Sequence, residues 1–534
     1  MRKYFESNWL GLFFLMTAML SLMAFGCGGG GGGGGGGGII IPIVSGTING
    51  RVADSTGAPL AGVTVRAVDQ NTIPVVGAAD AAADVTTTTD GAGQYSLNMT
   101  QTDKALVTFT FNGFILTSRV VPVFAGETST ADAVMAPEGA SASIDGAVGG
   151  TVTHNGGSAT IKANSLVDQN GADYAGQVEL AVTTFDPSVD RDFNAFPGEF
   201  QGKDQNGDTV PFESYGFMDV TPTDPAGNPL QLKTGQTADI VIPIPVMLRT
   251  MMVALPGTMP LWYYNPQSGV WNQEGTLTLN GAWDAYEGEI EHFSIWNADH
   301  PYARAFVKGR VVDSVGNPVT GAVVNIKGVA PRKGWAVYSP TGGGGIFPSG
   351  GSSWLPVEAD SRFDIWVTKG GAKGAVTRRT SGPADSQQDL GDIVFQATPS
   401  GPYDETTLLA MVGFDFSEKM ALEESDPLSD GFAATWDPSG RPGETGVWYV
   451  PNGFTTDVSL FKDMGTLPLT SILAAPDAWD DGNLMPALVA GRSYVAKCLD
   501  GYVKFHVLDV VNSGPHEYYV DIQYYWSATT TFAE

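Results

Sequence analysis

At 534 residues the chain is too long for one hydrophobic core, and at roughly 150 residues per domain three or four are expected. A hydrophobic fraction of 43% with 12 Trp and 26 Phe excludes wholesale disorder, while 69 Gly and 33 Pro argue for many turns between short strands. The net charge of −29 excludes nucleic acid as a partner, because phosphate binding needs a basic stripe and none is visible; it supplies solubility outside a cell, or cation binding.

The chain opens with Arg2 and Lys3, then an apolar run from Trp9 to Phe25 that ends Met23-Ala24-Phe25-Gly26-Cys27. Basic, apolar, small residue, Cys is the order of an export signal. The last four residues resemble the lipobox of bacterial lipoproteins, with Ala24 standing where Leu is usual. That resemblance implies a signal peptide over 1–26, a diacylglyceryl group on the Cys27 sulfur, cleavage after Gly26 and acylation of the new amino group. Two or more acyl chains anchor stably where one binds marginally. The alternative is an uncleaved membrane helix, for which the run is near the short limit. With Cys27 acylated, Cys498 has no intramolecular partner and reads as a buried small hydrophobe; the cores alone must hold the fold.

Residues 27–45 form the acylated cysteine and a poly-Gly linker. The unbroken tract from Gly28 to Gly38 can bury nothing, so it is expected as a coil spanning roughly 18 Å on average and under about 40 Å at full stretch. Gly28 after the acylated Cys, rather than Asp, resembles the pattern sorted to the outer membrane in two-membrane bacteria.

The first folded segment, 46–137, carries Gly50-Arg51-Val52-Ala53-Asp54-Ser55-Thr56-Gly57-Ala58-Pro59-Leu60-Ala61-Gly62. The same stretch returns as Gly309-Arg310-Val311-Val312-Asp313-Ser314-Val315-Gly316-Asn317-Pro318-Val319-Thr320-Gly321, in a segment covering 303–397. Each copy reads as a strand, a tight turn and a second strand. Ile48 and Val52 share one parity, as do Val63, Val65 and Ala67 after the turn, so each strand is half buried. An Ala/Thr-rich insertion (78–89) follows, then Asp90-Gly91-Ala92-Gly93-Gln94-Tyr95, the alternating 106–111 and a closing Ala131-Asp132-Ala133-Val134-Met135. Asp360-Ser361-Arg362-Phe363-Asp364-Ile365 and Asp389-Leu390-Gly391-Asp392-Ile393-Val394-Phe395 take the corresponding places in the second copy. This layout resembles the carboxypeptidase regulatory-like family, which implies two small prealbumin-like sandwiches that carry no catalytic residues. Glycine-rich stretches at 342–345 and 349–353 in the second copy predict a long loop. It carries Trp335, Phe347 and Trp354, whose rings either fold back over the sandwich or stack on a sugar or partner.

Between the copies lies a β-rich segment, 149–299. Residues 177–182 and 238–245 alternate cleanly; Pro243 and Pro245 cannot donate to a ladder, which predicts an edge strand. Leu261-Trp262-Tyr263-Tyr264-Asn265-Pro266-Gln267-Ser268-Gly269-Val270-Trp271 reads as a hairpin. With Asp186-Pro187-Ser188, Phe196-Pro197-Gly198-Glu199-Phe200 and Glu291-His292-Phe293-Ser294-Ile295-Trp296, the segment resembles the β-rich part of cartilage-intermediate-layer and astroprincin-type matrix proteins. That implies an extracellular structural or binding role. The remainder, 401–534, closes with two strands expected to pair, 501–507 and 518–526, and residues 494–505 resemble haem-binding lipoproteins of the HmuY type.

Motifs for chemistry are missing: there is no His-Glu-x-x-His, no Gly-x-Ser-x-Gly, no P-loop and no cysteine pair at metal spacing. His292 is expected as a core histidine bonded to backbone. His506 and His516 flank one hairpin and are either axial haem or metal ligands or solvent-facing strand ends. Asp204, Asn206 and Asp208 have the spacing that offers oxygens to Ca²⁺, but lack the glycine and late Glu of an EF-hand and also read as an acidic hairpin turn. Asp186, Asp190 and Asp192 carry the same two readings. The expectation is an all-β chain of antiparallel sandwiches in tandem, not an enzyme. It would be lipid-anchored at a bacterial cell envelope or outer membrane, and would act as a spacer or adhesion-type module with a protein or glycan partner. The alternative is a surface lipoprotein that captures carbohydrate or haem.

Overall fold

A computed structural model of the chain describes residues 45–70, 84–250, 255–329, 333–349, 354–369 and 372–396. From 404 onward it describes the strands between 404 and 449 and residues 461–477, 479, 488–498, 501–512 and 518–532. The signal peptide, Cys27, the glycine tract, residues 71–83 and His516 lie outside the described residues. The architecture is all-β: among the described residues the short α-helices Asp190–Ala195 and Val246–Thr250 interrupt a succession of largely antiparallel sheets.

The signature stretch folds through its turn. Asp54 Oδ1 accepts the N–H groups of Thr56 (2.8 Å) and Ala58 (3.0 Å), while Gly57 takes a φ of 88° that a side chain would resist. Asp313 does the same for Val315 and Asn317 at 3.0 and 2.8 Å. This closure by one Asp carboxylate recurs at Asp90, Asp168, Asp204 and Asp224.

In the first sandwich Ser45–Asp54 is central to one sheet, between Gln94–Thr100 on one side and Thr128–Thr130 and Ala133–Met135 on the other. The facing sheet runs Val85–Thr88, Thr64–Asp69, Thr102–Thr110, Thr117–Val123. Alternate residues Ile48, Val52, Val65, Leu97, Val107 and Phe109 meet between them, all nearly or fully buried. The third sandwich repeats the plan: Arg304–Val312 pairs antiparallel with Leu355–Glu358 and parallel with the last strand, Gln387–Val394. In both, the first strand lies parallel to the closing one, a long-range feature that the repeated turn does not encode locally.

The middle sheet has eleven strands and takes in Ala140–Asp145, ahead of residue 149. Gln177–Phe185 pairs with Thr209–Thr223, and Thr258–Asn265 with Val270–Leu279, so the sheet folds back and closes on itself. Its interior packs the alternate side chains Leu180 and Val182 with Ile240, Ile242, Leu261 and Trp296. Here the edge-strand expectation fails: Ala238–Pro243 is internal, between Gly157–Lys162 and Ala285–Ile290. The ladder to Gly157–Lys162 stops at Val241, so Pro243 has no N–H to supply there, and Pro245 stands beyond the strand before the second helix.

The C-terminal sheet orders Asp404–Leu409, Tyr518–Ser527, Tyr502–Asn512, Ser493–Lys497 and Phe461–Asp463. The two closing strands pair antiparallel from Tyr502↔Ser527 to Asn512↔Tyr518. Cys498 is buried in one cluster with Tyr494, Phe505 and Tyr524. Among the described residues no helix is long and apolar enough to cross a membrane.

Candidate functional site at the domain seams

A cluster of aromatic rings in the middle segment faces both neighbouring sandwiches. Phe196 stacks on Phe200 (4.0 Å between centroids) and on Trp271 (5.0 Å), and Phe185 stacks on Phe217 (4.2 Å). The Phe196-Pro197-Gly198-Glu199-Phe200 turn brings these rings together, and the Pro197 carbonyl accepts the Trp271 indole N–H at 3.0 Å. Ile115 and Ala136 of the first sandwich and Ala336 of the third complete the same cluster. One core therefore belongs to three sandwiches.

Polar groups bracket it. Arg119 of the first sandwich reaches into a cage of carbonyls, donating to Ser118 (2.7 Å), Phe196 (2.9 Å) and Asn194. Burial pulls its pKa below the usual value, opposed by the hydroxyls of Tyr338 and Tyr264. Between middle and third sandwiches, Lys327 pairs with Asp190 at 2.9 Å and lies 3.9 Å above the Phe193 ring. The buried Lys333 donates to the Ser188 carbonyl at 2.9 Å. Burial pushes Asp190 up, yet Lys327 and Lys333 outweigh it and hold its carboxyl well below the usual range. Since the Asp190 side chain is 49% exposed, that pair contributes about 1 kcal/mol or less. Asp192, by contrast, is pushed up to about 6 by burial, against the Asp186 N–H that it accepts.

Close backbone approach seals the seam. Gly334 accepts from Ser214 N–H at 2.8 Å, and a Cβ there would stand 2.2 Å from the Ser214 carbonyl oxygen. Gly334→Ala should therefore push the third sandwich off the middle one, with a loss of about 2–4 kcal/mol in chemical denaturation. An unchanged midpoint would mean that the two backbones do not meet. At the far seam Asp521 of the C-terminal domain, nearly fully buried, binds Arg362 (2.8 Å) and Arg378, and Arg378 also forks onto Asp364 at 2.8 and 2.9 Å.

The residues singled out in the sequence do not converge. Asp204 Oδ1 accepts from Asn206 and Asp208, so the acidic triplet closes its own hairpin turn; burial raises its carboxyl, but those amide donors together hold it below the ordinary value. Asp186, Asp190 and Asp192 belong to the seam. Among the described residues no group of three or more His, Cys, Asp or Glu is arranged to hold a metal. His506 bonds Ser493 at 2.8 Å, and burial lowers its pKa; its suggested partner His516 is outside the described residues. His292 is not the backbone-bonded core residue expected: its Nε2 faces Glu274 at 3.6 Å and its ring meets Tyr263 and Trp296 at 4.7 and 4.8 Å. Trp335 and Phe347 are fully buried in the third core, and Trp354 lies under the Lys308 ammonium at 4.6 Å. Arg119 and Lys333 were not legible beforehand, since carbonyl cages leave no local pattern.

Residues 47–136 match the carboxypeptidase regulatory-like domain family. Over its middle region the chain is similar to cartilage intermediate layer protein 1 of Sus scrofa, 28% identical over 197 residues, covering 34% of this chain and 32% of the pig protein. It is also similar to cartilage intermediate layer protein 2 of Homo sapiens, 26% identical over 186 residues, covering 31% of this chain and 15% of that protein. The chain thus matches a third or less of the length of these relatives. Among solved structures, the full-length major pilin SpaD of Corynebacterium diphtheriae is 11% identical, with 66% of this chain and 98% of that one covered at a TM-score of 0.16. BcpA, the major pilin subunit of Bacillus cereus, is 10% identical over 66% of this chain and 100% of that one, at a TM-score of 0.15. At scores this low the pilin likeness carries no argument. What stands is a carboxypeptidase regulatory-like sandwich, which is a non-catalytic fold, leading into a segment similar to part of cartilage intermediate layer protein 1.

Proposed function

We propose that this is a non-catalytic, lipid-anchored protein of a bacterial cell surface, acting as a rigid spacer or adhesion-type module. The observation that carries the reading is that Ile115 and Ala136 of the first sandwich and Ala336 of the third pack into the aromatic cluster of the middle segment, a contact that a flexible string of beads would not make. A spacer must transmit position, and a shared core does so where a linker would not. The lipobox-like Met23-Ala24-Phe25-Gly26-Cys27 supports the anchor, and the glycine tract supports a swivel between bilayer and rod. Cys27→Ser should release the chain from membranes after a carbonate wash, whereas the parent protein stays in the pellet and incorporates labelled palmitate. A variant that still sediments and labels would remove the anchor from the proposal.

A further inference from the structure

The third sandwich meets the C-terminal sheet across two charged faces. Arg362 and Asp364 stand two residues apart on the strand Arg362–Lys369 and so share a face, opposite Phe363 and Ile365, which fill the third core. Arg378, on the neighbouring strand Thr377–Thr380, is the register partner of Asp364, which holds its guanidinium in a fork at 2.8 and 2.9 Å. On the C-terminal side, Asp521 and Asp509 are register partners on adjacent strands, while Val520 and Ile522, of the other parity, fill that sheet's own core. Two carboxylates set side by side repel. Arg362 relieves them from across the seam, 2.8 Å from Asp521 and 3.3 Å from Asp509, and Arg378 binds Asp521 as well.

Apolar packing does not cross this seam in the same way. Among the described residues the core clusters of the third sandwich and of the C-terminal sheet have no member in common, whereas Ile115, Ala136 and Ala336 join the first three sandwiches. Domains without a large apolar interface move relative to one another unless something fixes them. Here the fixing group is a nearly fully buried carboxylate with two guanidinium partners. A separate hairpin, Val412–Asp415 with Met420–Glu423, lies beside the helix Val246–Thr250 of the middle segment.

We propose that the C-terminal sheet is a pivoting head: Asp521 in the Arg362–Arg378 clamp sets its orientation, and it turns as a folded unit, about the hairpin contact, when the clamp loses its charge balance. A buried ion pair suits this task. It contributes little net stability, yet breaking it leaves an uncompensated charge, so the docked orientation is specific without being sticky. The joint is independent of the lipid anchor.

The test is small-angle X-ray scattering of the full chain, with circular dichroism alongside. Asp521→Arg sets three guanidinium groups together, and Arg362→Asp sets three carboxylates together. Each should lengthen the maximum dimension by on the order of 10 Å, less than the width of one domain, with the strand signal of the parent retained. Combining the two substitutions restores a pair across the seam and should return the dimension to the parent's. Arg310→Gln breaks an exposed pair with Asp392 (2.6 Å) inside the third sandwich and should change nothing. Single variants that scatter like the parent overturn the proposal, as does a double variant no shorter than the singles. Loss of strand signal in Asp521→Arg overturns it too, because docking and folding would then be one event.

Discussion

Trp271→Ala should cost about 3–5 kcal/mol and split the unfolding of the first three sandwiches into separate transitions. The indole is fully buried, stacks on Phe196 and lies 5.2 Å from Tyr264 and 6.5 Å from Phe212. Its removal leaves a cavity where middle-sandwich rings meet Ile115 and Ala136, and strands the Pro197 carbonyl without its donor. In scanning calorimetry the parent chain should show these sandwiches melting together, because the aromatic cluster joins residues of all three beyond their own cores. Trp271→Phe keeps part of the stack and loses the hydrogen bond, so it should fall between. Independent melting in the parent chain would refute the shared core and, with it, the rigid spacer.

The second large effect is on pH. Burial pushes the Asp219 carboxyl up to about 7, opposed by the Thr221 hydroxyl at 2.7 Å and reinforced by Glu138. Asp192 is raised to about 6. A carboxyl raised in the folded state binds its proton more tightly there. Its contribution to stability is complete below the unfolded value near 3.8 and is lost as pH rises through about 6 and about 7. Stability should therefore increase as pH falls from 8 to 5. Depressed carboxyls such as Asp190 and Asp313 act in the opposite direction only below their unfolded values, which places the optimum at roughly pH 4–5. Asp219→Asn should flatten the upper limb and stabilise the chain at pH 8 by on the order of 3 kcal/mol. A melting temperature that rises from pH 5 to 8 would show that Asp219 is ionised in the native state.

Local patterns carried the fold further than the seams. The Asp54 and Asp313 turns were legible because one carboxylate, one glycine and their spacing suffice to close them, and strand alternation then placed Ile48, Val52 and Val65 inward. The Trp262–Trp271 hairpin was legible for the same reason. The position of Ala238–Pro243 was not: two prolines argue for an edge, but closure of a sheet depends on partners far away along the chain and on where each ladder stops. Phe196-Pro197-Gly198-Glu199-Phe200 was visible as a cluster, yet nothing in it announces Ile115 or Ala336 as neighbours. His292 misled because a histidine beside Phe293 and Trp296 looks like core, while its side chain is partly exposed and its Nε2 lies 3.6 Å from Glu274.

The closed middle sheet has a consequence for how copies of the chain meet. Each of its strands has at least two partners among the described residues, so the sheet has no free edge strand. That sheet therefore offers no strand edge along which neighbouring copies could zip side to side.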